Sequence, residues 1–355
     1  MEQRDRIMTQ RGFFDEYDRL KRLSQMGDPL EMITKVIDWE IFRPILNEVI
    51  QKEERGIGGR PSWDYILMFK ILLLQDWYGI ADDKTEYMIN DRLSFQRFLG
   101  LSLGDKVPDA KTIWLYRDKL SSSGAYKELF DLFGRQMESQ GIIKREGSLL
   151  DASFVEAPRQ RNTRDENRDI KEGKIPEEWT KPESKAKLRQ KDLDARWTKK
   201  NNKAYYGYKD HVKVDRVSKM IVDFTVTDAS VHDSQEIVGL IDEKDKEIYA
   251  DSAYAGEELH KNIREKNPNV QLHINEKGYR NHPLTDEQKL ANKIKSKVRA
   301  RVEHVFGHMT NSMGGMYVRC IGIRRARCEI ALKNLAYNLS RYVYLVNAKK
   351  VSISA

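Results

Sequence analysis

The chain has 355 residues, 33% of them charged and 39% hydrophobic, so it can bury a substantial core as a globular protein. Lysine and arginine number 63 against 55 aspartate and glutamate, and the resulting net charge of +8 favours a polyanionic partner. Only two cysteines occur, Cys320 and Cys328, which argues against a disulfide framework and against a cysteine-based zinc site. No apolar run approaches the roughly 18 residues of a membrane span, and the N-terminus lacks the apolar core of a signal peptide. We therefore expect a cytoplasmic protein with no membrane contact.

Residues 1–145 carry helical patterns and predict an all-α N-terminal domain. Apolar side chains recur at helical spacing over residues 29–50. The next helix, 62–77, is apolar on most faces and is therefore expected at the centre of its domain. Short helices joined by tight turns are compatible with a helix-turn-helix in which Lys111 and Arg117 face DNA, but a helical bundle with solvated charges explains each single helix more simply.

Residues 146–346 alternate strand and helix patterns and form the second predicted domain, followed by a tail at 347–355. Inside this domain, residues 159–203 are highly charged and contain hardly any aliphatic side chains. Such a segment predicts an insert outside the core that is mobile without a partner. Trp179 and Trp197 stand out in it, because a tryptophan in a basic loop either stacks on an unpaired base or fixes the loop to the domain. The sequence leaves both interpretations open.

The order of elements in the second domain defines its fold class. A first strand at 148–155 is followed, after the insert, by an antiparallel hairpin of strands at 204–214 and 219–227. The remaining predictions are a helix at 234–242 capped by Asp233 or Ser234, a strand at 247–250, a helix at 257–267, a strand at 270–274, a long helix from 286 to about 308, and a closing helix at 322–346 with one apolar stripe. This order gives a mixed α/β sheet flanked by helices, as in the ribonuclease H-like fold.

Three acidic residues lie where such a fold can bring them together. Asp251 ends a strand at the carboxyl end of the sheet, Asp151 ends the apolar pair Leu149-Leu150, and Glu303 lies inside a basic helix over residues 293–306. Carboxylates from two strand ends and a helix provide the oxygen ligands that divalent cations prefer. A single aspartate or glutamate is more often a cap, a turn residue or a solvated charge. The joint context favours a metal site that acts on phosphate.

Five short motifs occur in the order found in DDE transposases of bacterial insertion sequences, in the group named after insertion sequence five. They are Leu149-Leu-Asp-Ala-Ser153, Ala204-Tyr-Tyr-Gly-Tyr-Lys-Asp-His211, Val231-His-Asp-Ser234, Tyr249-Ala-Asp-Ser-Ala-Tyr254 and Arg299-Ala-Arg-Val-Glu-His-Val-Phe306. The chain resembles this family over about residues 60–345, and Gly59-Arg-Pro61 belongs to the resemblance. Each motif is short, but five in order on a compatible fold are specific.

The resemblance implies a function and a set of site residues. Asp151, Asp251 and Glu303 would be the catalytic triad and would hold two Mg²⁺ ions, for which Mn²⁺ can substitute. The protein would bind the terminal inverted repeats of its element in double-stranded DNA, with the helical domain as the end-binding part. It would hydrolyse a phosphodiester at the element's ends and join the 3′-hydroxyl to target DNA. Cutting two ends in concert implies at least a homodimer, associated with the bacterial nucleoid.

Around the glutamate, the family often shows the pattern Tyr-x2-Arg-x3-Glu-x6-Lys. Arg299 fits the arginine, four residues before Glu303 and on the same helical face, whereas Ser296 and Thr310 replace the tyrosine and the lysine. These departures concern contacts near the transposon end and not the metal site. Besides Arg299, the predicted DNA contacts are Arg301, Lys209, His211, Trp197, Lys199, Lys200, Arg319, Arg324 and Arg325. For His211 a half-exposed strand face is the alternative, and for Arg301 a solvated helix charge.

Two other functions stay open at the level of sequence. One is a plain nuclease of the same fold that does not join strands. The other is a catalytically silent, transposase-derived DNA-binding protein, against which the presence of all three carboxylates argues.

Overall fold

The computed structural model describes residues 14–50, 62–279 and 283–348. Residues 1–13 of the helical domain, the motif Gly59-Arg-Pro61 and residues 349–355 of the predicted tail lie outside the described part. Within that part, no helix combines the length and apolar character that a membrane span requires.

The N-terminal region is helical, as predicted. Its helices are α1 Asp15–Gln25, α2 Pro29–Val36, α3 Arg43–Ile50, α4 Tyr65–Tyr78, α5 Asp82–Asp91, α6 Leu93–Leu99, α7 Ala110–Ser123 and α8 Ala125–Ser139. Helix α4 begins after Asp64, whose side chain accepts a hydrogen bond from the Leu67 N–H, and ends at Gly79 in the left-handed conformation. Its side chains are buried on almost every face, which confirms the central position predicted for it.

The closing helix, α16 Ile323–Asn347, lies at the junction of the helical region and the sheet. It packs against α4, α7 and α8 on one side and against the sheet on the other. The indole N–H of Trp77 donates to the carbonyl of Ala336 at 2.9 Å across this junction. The predicted apolar stripe faces the core as expected, and further side chains are buried on the other side because both sides of α16 are covered. One hydrophobic core runs from Leu30 to Leu345 through both predicted domains.

The sheet has six strands: β1 Ser148–Glu156, β2 Arg196–Lys200, β3 Lys203–Asp215, β4 Ile221–Asp228, β5 Glu247–Ala250 and β6 Gln271–Ile274. The main order is β2-β3-β1-β5-β6, and β4 also pairs with β3. β3 runs antiparallel to β1, β2 and β4, whereas β5 is parallel to both β1 and β6. This mixed sheet with its flanking helices confirms the predicted fold class.

Two local predictions around the sheet need correction. Helix α12 Asp233–Leu240 is capped by His232, whose ring nitrogen faces the Ser234 N–H, and not by Asp233 or Ser234. The long helix predicted from residue 286 consists of α14 Asp286–Arg299 and α15 Arg301–Ser312, separated at Ala300. Helix α13 Glu257–Lys266 matches its prediction closely.

The charged insert is folded and reaches the sheet. It contains α9 Arg164–Lys171, α10 Glu177–Thr180 and α11 Lys185–Arg189, and its last part is the edge strand β2. Trp179 is fully buried and donates its indole N–H to Glu166 Oε1 at 2.7 Å, so this tryptophan packs inside the insert and is not free to stack on a base. The prediction that all of 159–203 lies outside the core is wrong for Ala195, which is buried in the main hydrophobic core, and residues 196–200 extend the sheet as its edge strand. Backbone pairing to β3 does not depend on the aliphatic content that the prediction used.

Candidate active site

Asp151 and Asp251 come from two neighbouring parallel strands. β1 pairs with β5 through Ser148 opposite Ile248 and Leu149 opposite Tyr249, and Asp251 follows directly after the last residue of β5. Adjacent strands are about 4.8 Å apart, and equivalent residues point to the same face of a sheet. Asp151 lies within β1 rather than at its end, contrary to the prediction, but it stands beside the position where β5 ends.

The two aspartates have different surroundings. Asp251 begins the short turn after β5, where its Oδ1 accepts the Ala253 N–H at 2.8 Å. Asp151 is mostly buried, and burial raises the pKa of its carboxyl group to about 6. The N–H of Ala152 and the charge of Arg299 act against this shift of the pKa, while the nearby Asp251 carboxylate adds to it. A buried carboxylate of this kind is stabilised by any cation that can reach it.

Glu303 approaches the aspartates through Arg299. The Arg299 guanidinium places Nη1 2.9 Å from Asp151 Oδ2 and Nη2 3.8 Å from Glu303 Oε1. Glu303 lies in the first turn of α15, where the helix dipole favours a carboxylate, and its side chain is 67% exposed. Among the described residues, no three His, Cys, Asp or Glu side chains are close enough to hold a metal ion together. The arrangement therefore unites Asp151 and Glu303 around an arginine, with Asp251 on the adjacent strand.

Lys209 and His211 are not placed to contact DNA. Lys209 is buried, and its Nζ donates to the Val231 carbonyl at 2.6 Å and to Asp233 Oδ1 at 2.9 Å. His211 is 1% exposed, its Nε2 lies 2.9 Å from Thr227 Oγ1, and burial lowers the pKa of its imidazole to about 4. The half-exposed alternative for His211 is also wrong. Helix α12 packs on β3 and buries these two side chains. The alternation of residues along the strand gives no indication that a helix lies on this face.

The hairpin of β2 and β3 presents Trp197, Lys199 and Lys200 on the surface. Its two-residue turn is Asn201-Asn202, with positive φ at both residues, as a tight hairpin turn requires. Trp197 is 43% exposed and packs against Tyr206. The charge of Lys200 is among those that lower the pKa of Asp151, so the basic tip of this hairpin lies towards the carboxylates.

An aromatic pair beneath this tip escaped the sequence analysis. Phe154 of β1 stacks on Tyr205 of β3 with ring centroids 4.2 Å apart. Lys200 lies over the Phe154 ring and Lys203 over the Tyr205 ring. The signal that could have found this surface is the interleaving of aromatic and basic residues over 197–209, a composition common at nucleic-acid surfaces.

The remaining arginines all contact other parts of the chain. Arg324 and Arg325 both pair with Asp118 of α7, at 3.0 and 2.9 Å. Arg319 donates to the Gly79 carbonyl, and Arg301 donates to the Arg216 carbonyl at 3.1 Å. The contacts of Arg319, Arg324 and Arg325 fix the start of α16 and the end of α4. A role of these four arginines in DNA binding stays a prediction.

The proposed helix-turn-helix contact at Arg117 is wrong. Its guanidinium donates to Asp82 Oδ2 at 2.9 Å and to Gln75 Oε1 at 2.6 Å, and its side chain is mostly buried. This arginine therefore ties α7 to α4 and α5. Lys111, at the start of the same helix, is exposed.

A mixed six-stranded sheet flanked by helices and preceded by a helical region matches the ribonuclease H-like fold class predicted from the sequence. The chain belongs to the family described as "Transposase DDE domain", whose model matches residues 143–339. A second model, described as a transposase domain, matches residues 18–119. These families are typical of the transposases of bacterial insertion sequences, which confirms the resemblance found from the motifs.

Among solved structures, the chain is similar to a piggyBac transposase in a synaptic complex with hairpin DNA. The identity is 13%, the match covers 94% of this chain and 79% of that chain, and the TM-score is 0.46.

Proposed function

We propose that this DDE transposase binds the terminal inverted repeats of its insertion sequence, hydrolyses a phosphodiester at each end and joins the freed 3′-hydroxyl to target DNA. The observation that supports the proposal is the position of Arg299, whose guanidinium contacts Asp151 and reaches Glu303. Asp251 follows directly after the neighbouring strand β5, and its charge is among those that raise the pKa of Asp151. The three acids come from two neighbouring strands and a helix, which gives the site a rigid base.

The three carboxylates fit a pair of Mg²⁺ ions, with Mn²⁺ as substitute. Every available donor is a carboxylate oxygen, the ligand type that these hard cations prefer. Asp151 is mostly buried and needs a compensating positive charge, while the exposed Glu303 side chain is free to rotate towards the aspartates. When bound, such ions activate the attacking oxygen and stabilise the negative charge on the leaving oxygen.

The chain's own residues supply the rest of the site. Asp151 lies inside β1, and Asp251 is held by the turn that follows β5, where its side chain accepts the Ala253 N–H, so the two acids need little reordering when the substrate arrives. Lys199 and Lys200 on the hairpin tip neutralise phosphates next to the acids. The helical region supplies further contacts to the terminal repeats, and concerted cutting of two ends is carried out by a homodimer. Because its substrate is the DNA of the bacterial chromosome, the protein acts in the nucleoid.

The test is cleavage of labelled candidate end DNA in Mg²⁺ or Mn²⁺, by the wild type and by Asp151→Asn, Asp251→Asn and Glu303→Gln. We expect all three variants to lose cleavage while retaining DNA binding. The matched control is Glu287→Gln, an exposed glutamate in the first turn of α14. Full activity of Asp251→Asn would overturn the assignment of this site.

The same assay separates the alternatives. A plain nuclease would cut end DNA but would not join pre-cut ends to a target duplex. A catalytically silent DNA-binding protein would retain end DNA in a gel-shift experiment and cut nothing in either metal. If the protein is a transposase, it both cleaves end DNA and joins the ends to a target. The carboxylate variants should then lose both activities.

A further inference from the structure

Arg299 occupies an unusual place in the candidate active site. It is the last residue of α14, one residue before the interruption at Ala300, and Glu303 follows in the first turn of α15. Its guanidinium contacts Asp151 at 2.9 Å and reaches Glu303 at 3.8 Å. A positive charge of the protein itself therefore lies between two of the three acids to which the proposed function assigns divalent ions.

The guanidinium and a metal ion compete for the same oxygen. Mg²⁺ takes carboxylate oxygens at about 2.0–2.1 Å and demands near-octahedral geometry, which leaves no room for an arginine N–H on the same lone pair. Asp151 Oδ2 is engaged by Arg299 Nη1, and the Asp151 side chain is only 19% exposed. An ion at this oxygen would lie beside the positively charged guanidinium, and the repulsion between the two cations favours displacement of the arginine.

The helix that carries Arg299 is fixed, but one nitrogen of its guanidinium is unpaired within the described part of the chain. Nε of Arg299 is buried and has no hydrogen-bond partner among the described residues. The end of α14 is attached to β6, since Lys295 Nζ donates to the Ile274 carbonyl at 2.9 Å and Asn275 donates to Ser296 Oγ at 2.9 Å. Asp151 and Glu303 are therefore the acids that hold the guanidinium, and Nε makes no hydrogen bond to a described residue that a rotation of the side chain would break.

We propose that Arg299 is a displaceable counter-ion that neutralises Asp151 and Glu303 before metal binds and exchanges places with the divalent cation. This inference rests on the metal site of the proposed function. Exchange keeps the buried charge of Asp151 compensated throughout, because one cation leaves only as another arrives. The released guanidinium remains beside the site, where its planar fork suits a phosphate of the DNA backbone.

The test is calorimetric titration of Mn²⁺ into the full-length protein without DNA. Arg299→Gln removes the competing charge, so we expect Mn²⁺ to bind roughly tenfold more tightly than to the wild type, which corresponds to about 1.4 kcal/mol. Arg299→Lys keeps the charge but loses the fork, and its affinity should lie between these two. The matched control is Arg301→Gln, because Arg301 contacts the Arg216 carbonyl and neither of the acids; its affinity should equal that of the wild type.

Weaker or unchanged Mn²⁺ binding by Arg299→Gln would overturn the proposal. Thermal unfolding with and without Mn²⁺ gives a second measurement: the Arg299→Gln variant should be less stable than the wild type in metal-free buffer and should gain more stability from Mn²⁺.

The variants Asp151→Asn and Glu303→Gln distinguish a failure of the proposed metal site from a failure of the counter-ion role of Arg299. If both leave Mn²⁺ binding unchanged, the metal site itself is wrong. If both weaken it while Arg299→Gln does not strengthen it, only the counter-ion role fails.

Discussion

Replacement of Asp210 by asparagine should stabilise the protein, and increasingly so at higher pH. Asp210 lies on β3, fully buried, at a polar cavity of about 70 Å³ between the helical region and the sheet. Its Oδ1 accepts from Asn334 Nδ2 at 3.2 Å. Asp210 Oδ2 and Asn334 Oδ1 are both buried without a hydrogen-bond partner among the described residues. A protonated Asp210 satisfies both oxygens if its O–H donates to the Asn334 carbonyl.

The magnitude follows from the pKa. Burial raises the pKa of the Asp210 carboxyl from its ordinary value of 3.8 to about 7, so the folded state binds a proton that the unfolded state releases. This proton stabilises the folded state fully at pH values below the pKa of the carboxyl group in the unfolded state. The stabilisation is lost as the pH rises through the folded-state pKa of about 7. Each pKa unit corresponds to about 1.4 kcal/mol, so the loss by pH 8 is at most about 4 kcal/mol. An asparagine amide donates at every pH and avoids this loss.

The assay is urea unfolding at pH 5, 6, 7 and 8, followed by tryptophan fluorescence. The free energy of unfolding of Asp210→Asn minus that of the wild type should increase from pH 5 to about pH 7 and level off towards pH 8. Asp286→Asn, at a nearly fully exposed position, is the control and should show no such trend. A difference that stays constant with pH, or a variant that is destabilised at every pH, would show that Asp210 is ionised in the folded protein and refute the reasoning.

Three further predictions concern the sheet, the insert and DNA. Gly207→Ala should destabilise the protein by several kcal/mol in urea unfolding, because Gly207 has φ 143° and a Cβ there would lie 2.3 Å from the Val155 carbonyl oxygen. Trp179→Ala removes the buried centre of the insert; limited proteolysis should then cut within 164–189 while the thermal transition of the core changes little. Lys199→Gln and Lys200→Gln should each reduce the salt dependence of end-DNA binding, lowering the slope of log K against log salt by roughly 1.

Each of these has a control in the same chain. Gly239→Ala in α12 has open space around the added methyl and should leave stability unchanged or higher. Equal proteolysis of wild type and Trp179→Ala would mean that the tryptophan does not hold the insert together. Lys261→Gln, at an exposed site on α13, should leave the salt dependence unaltered; an equal effect there would show that the hairpin lysines act only through net charge.

Much of the architecture follows from the sequence alone. Strand β5, helix α13 and the β3–β4 hairpin lie where apolar periodicity and turn residues predict them, because backbone preference and side-chain alternation are local properties. The order of these elements restricts the fold to a mixed sheet with flanking helices. The acids Asp151, Asp251 and Glu303 are predicted from the short motifs around them, and the family match over residues 143–339 spans all three.

The tertiary structure alone decided which side chains are available for chemistry. Lys209 and His211 have the strand positions of surface residues, but helix α12, which comes from another part of the chain, covers them. Pairing of β1 with β5, whose partners are 100 residues apart, brings the segment with Asp251 next to Asp151, and the end of α14 brings Arg299 to both Asp151 and Glu303. Burial, pKa and ion pairing depend on neighbours that are distant in sequence, and a local pattern carries no information about them.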